Sequence, residues 1–505
     1  MKLAETPEGV QTLKEFPHVF TPFDHQYKEL VENWDREYRA ILMEQGTGKT
    51  KLFIDTAMKL FVEGKIDGVL VIAPNGVHDN WALDELPKHL TPEIMAKSNI
   101  CLYQTRKSGT KQHQRAVRQC IAHEGLAIMC MSYDAIMTAA GKAAAWNMLR
   151  KRELLYGADE SIDIKSPGAK RTLRVCASAK YAKYRRIMNG TLVSNGPFDV
   201  QSQFKFLDWH FWERFELKTP AEFRVHFGIF KTRKTFAGGK EREFEQCVGY
   251  KRLDELHDII APVSTRVLKK DVLDLPPKLY GKLYFDMNPE QKRVYKDVEN
   301  DGIAYLVNGE MVTTPLPIVR DLRLAQITSG YVPTDDPEDE PIQMLGDTNP
   351  RLTALMQQIR RESNPTKVII WAKFKMDIDL IMEALREEGL NPVKYNGDCT
   401  DDEKIAARQS FQNDPDVGPF VGNAQAAGRG LTLTAALQTY YYNNTFNLTQ
   451  RLQSEDRNHR IGTDTSVKYT DLIARGTIDA RIVKNLRSKL EVADIIAGDD
   501  HKDWI

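Results

Sequence analysis

MEQGTGKT, at residues 43–50, is the stretch that decides the fold. The apolar run RAILME (39–44) leads into it, and KLFIDTAMKLF (51–61) follows with the spacing of a helix. A glycine-rich loop between a strand and a helix directs backbone N–H groups and the helix N-terminus at one spot, which suits a phosphate group. The sequence therefore predicts a phosphate-binding loop, although the general pattern begins with Gly where this chain has Met43.

Each residue of the loop has an expected role. Gly46 and Gly48, with Thr47 between them, would allow the backbone to approach the phosphates. Lys49 would reach the outer phosphates, and the Thr50 hydroxyl would bind Mg²⁺. The alternative is a turn of small residues without a ligand, which the flanking strand and helix disfavour.

Length and composition restrict the class of protein. The 505 residues suffice for about three domains or for two large lobes, and 42% hydrophobic with 28% charged residues is typical of a globular protein. No apolar run approaches the roughly 18 residues needed to cross a bilayer, and the N-terminus lacks the apolar region of a signal peptide. We therefore expect no membrane association and a cytoplasmic location.

The cysteines do not suggest a metal site or a disulfide framework. Six are present without a CxxC pair, which predicts free thiols in a reducing compartment. CIAHEGLAIMC (120–130) lacks the further ligands of a zinc site, so we interpret its Cys and His side chains as packing residues.

Charge is unevenly distributed along the chain. The formal net charge is zero, yet residues 101–187 contain 17 Lys and Arg against six Asp and Glu. Such an excess favours binding of a polyanion by counterion release, although a solvated basic face remains the alternative. Part of the balancing acid lies in PTDDPEDEP (333–341), which reads as a loop or linker.

Apolar runs alternate with helical patterns, which predicts an α/β fold with mainly parallel sheets. Two series of strands imply two sheets, with lobe 1 over 1–270 and lobe 2 over 271–505. Lobe 1 would contain a helical insert at about 200–262, whose aromatic cluster FLDWHFWERF (206–215) we interpret as its core, and lobe 2 a helical part at about 285–345. The expected strands are RAILME (39–44), GVLVIAP (68–74), LAIMCMSYD (126–134), RRIMNGT (185–191), KVIIWAK (367–373), GPFVGNA (418–424) and QTYYYNN (438–444).

A phosphate loop that binds a metal needs a second anchoring carboxylate. Asp159 and Glu160, in DESI (159–162), are adjacent acids that suit the binding of Mg²⁺ and the orientation of an attacking water. Because DE dipeptides also occur by chance, this pair is weak evidence by itself.

The order of the segments resembles the Swi/Snf-like branch of the superfamily-two helicases and translocases over roughly residues 20–490. In that group the first Gly of the phosphate loop is commonly absent, which accounts for Met43. An ordered set of matches leaves little room for chance. The segments are PFDHQ (22–26), MEQGTGKT (43–50), VLVIAPNGVHDNW (69–81), MSYDAI (131–136), DESIDIKSPGAKRT (159–172), NGTLVSNGPFD (189–199), STRVLKKDVLDLPPK (264–278), YNGDCTDDEKIAARQSFQNDP (395–415), NAQAAGRGLTLTAA (423–436) and QRLQSEDRNHRIGT (450–463).

The resemblance implies two RecA-like lobes that share one ATP and Mg²⁺. In lobe 1, Gln26 would contact adenine, Asp159 would hold the metal and Glu160 would orient the attacking water. In lobe 2, two arginines would reach the γ-phosphate and two glycines would let the backbone approach the nucleotide: Arg457, Arg460, Gly428 and Gly430.

The resemblance also implies contacts with DNA. They are placed at Asn75, Trp81, Ser132 and Tyr133 in lobe 1 and at Lys373, Arg429 and Thr432 in lobe 2. Two positions depart from the pattern of the group, since Ile162 stands where His is usual and Leu192 where Pro is usual. Both positions help to couple the nucleotide state to nucleic-acid contacts, so coupling is the property that these departures affect.

The implied activity is an ATP-dependent DNA translocase or helicase that moves on duplex or branched DNA, with remodelling, branch migration or protein displacement as outcomes. An ATP-dependent RNA helicase and a non-motor, ATP-gated nucleic-acid clamp are the alternatives. A compact chain without recognisable reader modules suggests a bacterial or phage enzyme in the cytosol. We expect a monomer, and the sequence does not predict protein partners.

Overall fold

The computed structural model describes residues 6–237, 240–306, 311–313, 317–333, 342–425 and 431–499. These residues form two compact units, of which the first extends to Leu273 and the second from Asp274 to Leu490. Residues 491–499 belong to the first unit, although the sequence assigned them to lobe 2. The reason is a set of polar contacts, because Arg266 pairs with Asp499 at 2.6 Å and the His257 ring bonds to the Ile496 carbonyl oxygen at 3.0 Å.

The first unit is built around a seven-stranded parallel sheet with the strand order β3-β4-β2-β5-β6-β1-β9. A separate antiparallel ribbon is formed by β7 and β8. The strands of this unit are β1 Tyr38–Met43, β2 Gly68–Ala73, β3 Ser98–Leu102, β4 Leu126–Ser132, β5 Leu154–Asp159, β6 Tyr184–Met188, β7 Gly228–Ala237, β8 Lys240–Tyr250 and β9 Ser264–Val267.

Helices cover the sheet of the first unit. A π-helical turn, Trp81–Glu85, joins α4 to α5. The helices are α1 Pro7–Leu13, α2 Asp24–Asn33, α3 Lys49–Val62, α4 Val77–Asn80, α5 Leu86–His89, α6 Pro92–Ala96, α7 Lys111–Ile121, α8 Ala139–Lys151, α9 Lys170–Ala179, α10 Val200–Leu207, α11 Pro220–Phe227, α12 Leu253–Ile260 and α13 Lys269–Val272.

The second unit contains a six-stranded parallel sheet with the order β10-β19-β18-β15-β17-β16. Two short antiparallel pairs, β11 with β12 and β13 with β14, lie outside it. The strands are β10 Lys278–Phe285, β11 Ile303–Tyr305, β12 Met311–Thr313, β13 Tyr331–Pro333, β14 Ile342–Met344, β15 Val368–Trp371, β16 Val393–Tyr395, β17 Phe420–Gly422, β18 Gln438–Tyr441 and β19 Val467–Ala474. The helices are α14 Pro289–Asp301, α15 Pro317–Thr328, α16 Pro350–Ile359, α17 Lys375–Glu387, α18 Asp401–Asn413, α19 Leu448–Glu455 and α20 Ile478–Ala497.

The apolar sequences of the central strands explain why these strands are buried. Every residue of β2 and of β4 is buried, as expected for central parallel strands that helices cover on both faces. Most of α3 is buried as well, and its apolar side chains join those of the central strands in one core. The predicted α/β class with two parallel sheets is confirmed.

The predicted helical insert is wrong for β7 and β8, which pair as a hairpin over Gly228–Tyr250. Lys, Arg and Glu are frequent in this stretch and suit a surface helix, but here they pair across strands. Thr232 donates to Glu245 at 3.0 Å, and Lys234 lies 3.7 Å from Glu243. In the part predicted as helical in lobe 2, α14 and α15 alternate with the short strand pairs.

The aromatic cluster at 206–215 packs largely inside the first unit. Phe206 and Trp212 are buried, as expected for core residues. α10 ends at Leu207, so the cluster is not a single helix. Trp209 is only half-buried, and the ammonium groups of Lys180 and Lys205 lie over its ring, 3.3 Å and 4.0 Å from the centroid. No helix in the described part of the chain is long and apolar enough to span a bilayer.

Candidate nucleotide site and its connections

The loop between β1 and α3 has the backbone that a phosphate cradle requires. Gly46 and Gly48 have φ angles of +87° and +89°, a left-handed conformation that side-chain-bearing residues rarely adopt. A side chain at Gly48 would also collide with the amide of Gln26. Both glycines are therefore required by geometry as well as by the motif.

Gln26 stabilises this loop by a hydrogen bond to its backbone. It is 1% exposed, and its amide nitrogen donates to the Gly48 carbonyl oxygen at 2.9 Å. Its amide oxygen accepts from the Phe23 N–H at 2.9 Å. The neighbouring His25 ring contacts the Thr47 carbonyl oxygen at 2.8 Å, and burial lowers the pKa of His25. These contacts give Gln26 a role in shaping the loop, while its predicted contact with adenine stays a prediction.

Lys49 and Thr47 close the loop through its own carbonyl groups. The Lys49 ammonium donates to the Met43 oxygen at 2.9 Å and to the Glu44 oxygen at 3.2 Å. The buried Thr47 hydroxyl donates to the same Glu44 oxygen at 2.7 Å. Met43 ends β1 with its side chain fully inside the core, which explains an apolar residue at the position where Gly is usual.

Asp159 is the last residue of β5 and Glu160 follows it. Both lie at the carboxyl ends of the parallel strands, where the phosphate loop also begins. Only β6 separates β5 from β1, so the two strands lie about 10 Å apart. Glu160 has a φ of +50°, an unusual conformation for a non-glycine residue and one often found at functional sites. The Glu160 N–H donates to Asp159 Oδ1 at 2.9 Å.

Trp81, Ser132 and Tyr133 are buried, and their assignment as DNA contacts stays a prediction. The Trp81 indole donates to Asp159 Oδ2 at 2.8 Å, and the Tyr133 hydroxyl donates to the Asp159 carbonyl oxygen at 2.9 Å. The Ser132 hydroxyl accepts from the Ala135 N–H at 3.1 Å. Trp81 and Tyr133 therefore support the acidic pair from inside the unit.

Asn75 is the one predicted DNA contact of lobe 1 that lies on the surface. Its side-chain amide donates to Asp134 at 2.6 Å, and Arg171 pairs with the same carboxylate at 2.5 Å. Arg186, another cation of the basic 101–187 region, has a structural role instead. Arg186 is buried and donates to backbone carbonyl groups, and burial lowers its pKa to about 10. The charge excess is thus only partly a surface property.

Gln203 and Lys165 join the DESI segment to the NGTLVSNGPFD segment, and neither was predicted. The buried Gln203 accepts from the Ser161 hydroxyl at 2.6 Å and donates to the Leu192 carbonyl oxygen at 2.8 Å. Lys165 donates to the Ser194 hydroxyl at 2.9 Å. These pairs are distant in sequence, so no local pattern could have identified them. Ile162 and Leu192, the two departures, are both buried beside these links.

In the second unit, α19 is fixed by a buried ionic network. Glu455 accepts from Arg451 at 2.9 Å, from the Lys278 ammonium at 3.0 Å and from the Tyr280 hydroxyl at 2.8 Å. Arg451 also pairs with Asp471 at 2.5 Å. Burial alone would raise the pKa of Glu455, but the charges of Lys278 and Arg451 outweigh it and lower that pKa to about 2.

Arg457 and Arg460 follow this helix but differ in exposure. Arg457 is 1% exposed, and its guanidinium donates to the Leu431 carbonyl oxygen at 3.4 Å. Arg460 is only half-buried and donates to the Thr432 hydroxyl at 2.8 Å. Thr432 was predicted to contact DNA, so the structure brings a predicted DNA contact and a predicted γ-phosphate contact together. Gly428, Arg429 and Gly430 lie outside the described residues.

Lys373 follows β15 at the end of the central strands of the second sheet. The Asn423 side chain donates to its carbonyl oxygen at 2.7 Å, and its own N–H donates to Asn443 at 2.6 Å. Burial lowers the pKa of Lys373, while the carboxylate of Asp377 acts in the opposite direction. Lys373 and these amides line a small cleft together with Gln450 and Arg451.

Comparison with known proteins agrees with this geometry. A family model described as the SNF2-related domain matches residues 30–327, more than half of the chain. The chain belongs to the SNF2-related family. A model of the helicase conserved C-terminal domain matches residues 350–462, so this SNF2 chain is a helicase-like ATPase whose two sheets are the cores of its RecA-like lobes.

Curated relatives of this SNF2 protein are distant and longer. The TATA-binding protein-associated factor mot1 of Schizosaccharomyces pombe is 25% identical over 67% of this chain and 19% of its own length. The DNA annealing helicase and endonuclease ZRANB3 of Mus musculus is 27% identical over 66% of this chain and 29% of its own length. The chain thus spans less than a third of either relative. The Sulfolobus solfataricus SWI2/SNF2 ATPase core in complex with dsDNA is 22% identical, with coverage of 97% and 95% and a TM-score of 0.42.

The residues of the SNF2 site fit a Mg²⁺–nucleotide complex. Thr50 lies in the first turn of α3 and Asp159 at the end of β5, so a hydroxyl and a carboxylate are available at one sheet edge. Oxygen donors of this kind, completed by phosphate oxygens and water, are what Mg²⁺ prefers. The left-handed glycines leave the loop open to a close approach by phosphate.

Proposed function

We propose that this SNF2 ATPase is a motor that uses ATP to move on duplex or branched DNA. One observation carries the proposal. The phosphate loop after β1 and the acidic pair at the end of β5 lie at the carboxyl ends of strands in one parallel sheet. The DNA annealing helicase among the relatives supports DNA as the substrate. Remodelling, branch migration and protein displacement are the outcomes that such movement would produce.

The residues of the first unit divide the work of hydrolysis. Lys49 would transfer its hydrogen bonds from the Met43 and Glu44 oxygens to the outer phosphates. Asp159, oriented by Trp81, would hold Mg²⁺, and Glu160 would hold the attacking water. Bound Mg²⁺ would neutralise charge on the phosphate oxygens. In the second unit Arg460 would stabilise the same charge.

A motor that accepts any sequence should contact phosphates more than bases. On the described surface, Asn75 and Thr432 have the exposure for such contacts, and Lys373 contributes a cation. A cytoplasmic location and a monomeric state are further parts of the proposal.

The test is a panel of nucleic acids in a steady-state ATPase assay, combined with unwinding of a branched DNA. We expect the largest stimulation by duplex or branched DNA, and loss of turnover in Lys49→Ala and Glu160→Gln. Stimulation by RNA alone would replace the proposal with an RNA helicase. ATP-dependent nucleic-acid binding without movement along DNA would favour the non-motor clamp, whereas turnover that persists in both variants would contradict the roles of Lys49 and Glu160.

A further inference from the structure

The hairpin of β7 and β8 is an exposed ribbon without a partner in either large sheet. All eight described residues of its middle part, 231–234 and 243–246, are exposed. A two-stranded ribbon that buries neither face gains little stability from its own contacts. Binding of a ligand therefore explains the exposed ribbon better than a role in the hydrophobic core of the first unit does.

The two faces of the ribbon carry different charges. Directly opposed residues share a face, and the register opposes Lys231 to Gln246 and Arg233 to Phe244. This basic face has two cations and no acid, and Arg233 donates to Gln246 at 3.1 Å within it. The other face opposes Thr232 to Glu245 and Lys234 to Glu243, with one cation and two acids.

The composition of the basic face suits a nucleic acid. Lys231 and Arg233 are two residues apart on one strand, so their backbone positions are about 7 Å apart, and each side chain can meet a separate phosphate. Phe244, directly opposite Arg233 on the neighbouring strand, is 48% exposed and offers a ring that can stack on a base or a sugar. A two-stranded ribbon also has the width that a major groove admits.

The base of the hairpin is fixed to the NGTLVSNGPFD segment. The Tyr250 hydroxyl donates to the Asn195 carbonyl oxygen at 3.2 Å. The Phe198 ring stacks on Phe230 and meets Tyr250 edge-on, with centroid distances of 6.3 Å and 5.6 Å. Gly196 permits this approach, since a side chain there would collide with Tyr250. The base of the ribbon is thus packed against the NGTLVSNGPFD segment. Gln203 links that segment to Ser161, which directly follows the acidic pair.

We propose that the basic face of the hairpin, formed by Lys231, Arg233 and Phe244, is a nucleic-acid-binding element that contacts the backbone of the DNA on which the motor acts. The inference rests on the proposed function for its ligand. It adds a binding surface in the first unit that the family motifs do not contain. An acidic protein surface is the competing ligand, and the experiment separates the two.

The experiment compares Lys231→Glu with Lys234→Glu in the full chain, by titration of a fluorescent forked DNA at several salt concentrations. The two variants make the same charge change on opposite faces. Lys231→Glu should weaken binding by about tenfold and reduce the slope of log Kd against log salt by about 1, and Lys231→Glu/Arg233→Glu should reduce it by about 2. Lys234→Glu should keep the slope of the unsubstituted chain.

A photo-reactive phenylalanine analogue at position 244 provides a second measurement, with position 245 on the opposite face as its control. A DNA crosslink from 244 and none from 245 supports the proposal. Equal slopes for Lys231→Glu and Lys234→Glu, or no crosslink from 244, overturns it and leaves a protein ligand for this face. If no DNA stimulates the ATPase of the unsubstituted chain, the proposed motor function fails, while the titration and crosslink still decide the hairpin.

Discussion

The Trp81 indole donates a hydrogen bond of 2.8 Å to the Asp159 carboxylate across 78 residues of sequence. Trp81 is buried and packs edge-on against Phe53 of α3, with ring centroids 5.4 Å apart. The helix that begins at the phosphate loop and the carboxylate that would hold Mg²⁺ are thereby joined through one side chain. Trp81 is a positioning residue for the site.

Replacing Trp81 with Phe should weaken the ATPase by removing this hydrogen bond while keeping an aromatic ring against Phe53. A hydrogen bond to a charged group contributes about 1.5–3 kcal/mol, so we expect roughly a tenfold or greater rise in the Mg²⁺ concentration at half-maximal turnover. Steady-state ATPase at varied Mg²⁺ measures it. Trp146→Phe, at a partly exposed indole on α8, is the control, and equal Mg²⁺ curves for the two variants would refute the positioning role.

Removing the Lys49 ammonium with Lys49→Ala should abolish most turnover, because no other side chain of the loop carries a positive charge. Loss of one fixed donor to a developing charge costs about 10²–10³ in kcat. An ATPase assay with and without DNA measures the loss. Lys111→Ala, at an exposed lysine that begins α7, should keep full activity. A fall below tenfold in Lys49→Ala would contradict the assignment of the loop.

Arg460 and Arg457 should respond differently to alanine substitution. Because Arg460 is partly exposed, Arg460→Ala should lower kcat by about 10³-fold or more with little change in melting temperature. Arg457 is buried, so Arg457→Ala should also lower the melting temperature. Thermal unfolding and kcat, measured on both variants, test this division. The reverse pattern would exchange the two roles.

The buried Glu455 predicts a pH-dependent contribution to stability. Because the folded state lowers its pKa from 4.5 to about 2, the ionised form stabilises the fold at pH values above about 4.5. This contribution declines as the pH falls towards 2. Breaking the network with Glu455→Gln should therefore cost about 3 kcal/mol near neutral pH and progressively less in acid.

Denaturant unfolding of the unsubstituted chain and of Glu455→Gln, at pH values from about 2.5 to about 7, measures the difference in the free energy of unfolding. Glu388→Gln, at an exposed carboxylate paired with Arg360, serves as the control and should change the stability little. A Glu455→Gln difference that stays constant with pH would show that the charge of Glu455 does not stabilise the second unit.

Sequence reasoning succeeded where local pattern and burial agree. β2 and β4 are central strands, so their uninterrupted apolar residues predicted them, and the loop at 43–50 is contained in eight consecutive residues. It failed for the hairpin, because alternating Lys, Arg and Glu on an exposed ribbon carry no apolar periodicity. The edge strands β3 and β9 are short and only partly buried, which left them without a signal.

The candidate site shows the same division. Lys49, Thr50, Asp159 and Glu160 belong to contiguous motifs and could be named from sequence. The roles of Trp81 and Gln203 depend on contacts across 78 and 42 residues, and such pairings are created only by the fold. For Trp81 the motif predicted a DNA contact, which stays a prediction, and the fold adds a buried hydrogen bond to Asp159.

The hydrogen bonds from Lys49 to the Met43 and Glu44 carbonyl oxygens affect which anions the loop can bind. Any incoming anion must compete with two internal acceptors for one ammonium group. A singly charged ion such as chloride replaces them poorly, whereas a polyphosphate brings several oxygens at once and also engages the N–H groups of the loop. The loop is therefore expected to discriminate against small singly charged ions and to favour ligands with more than one phosphate.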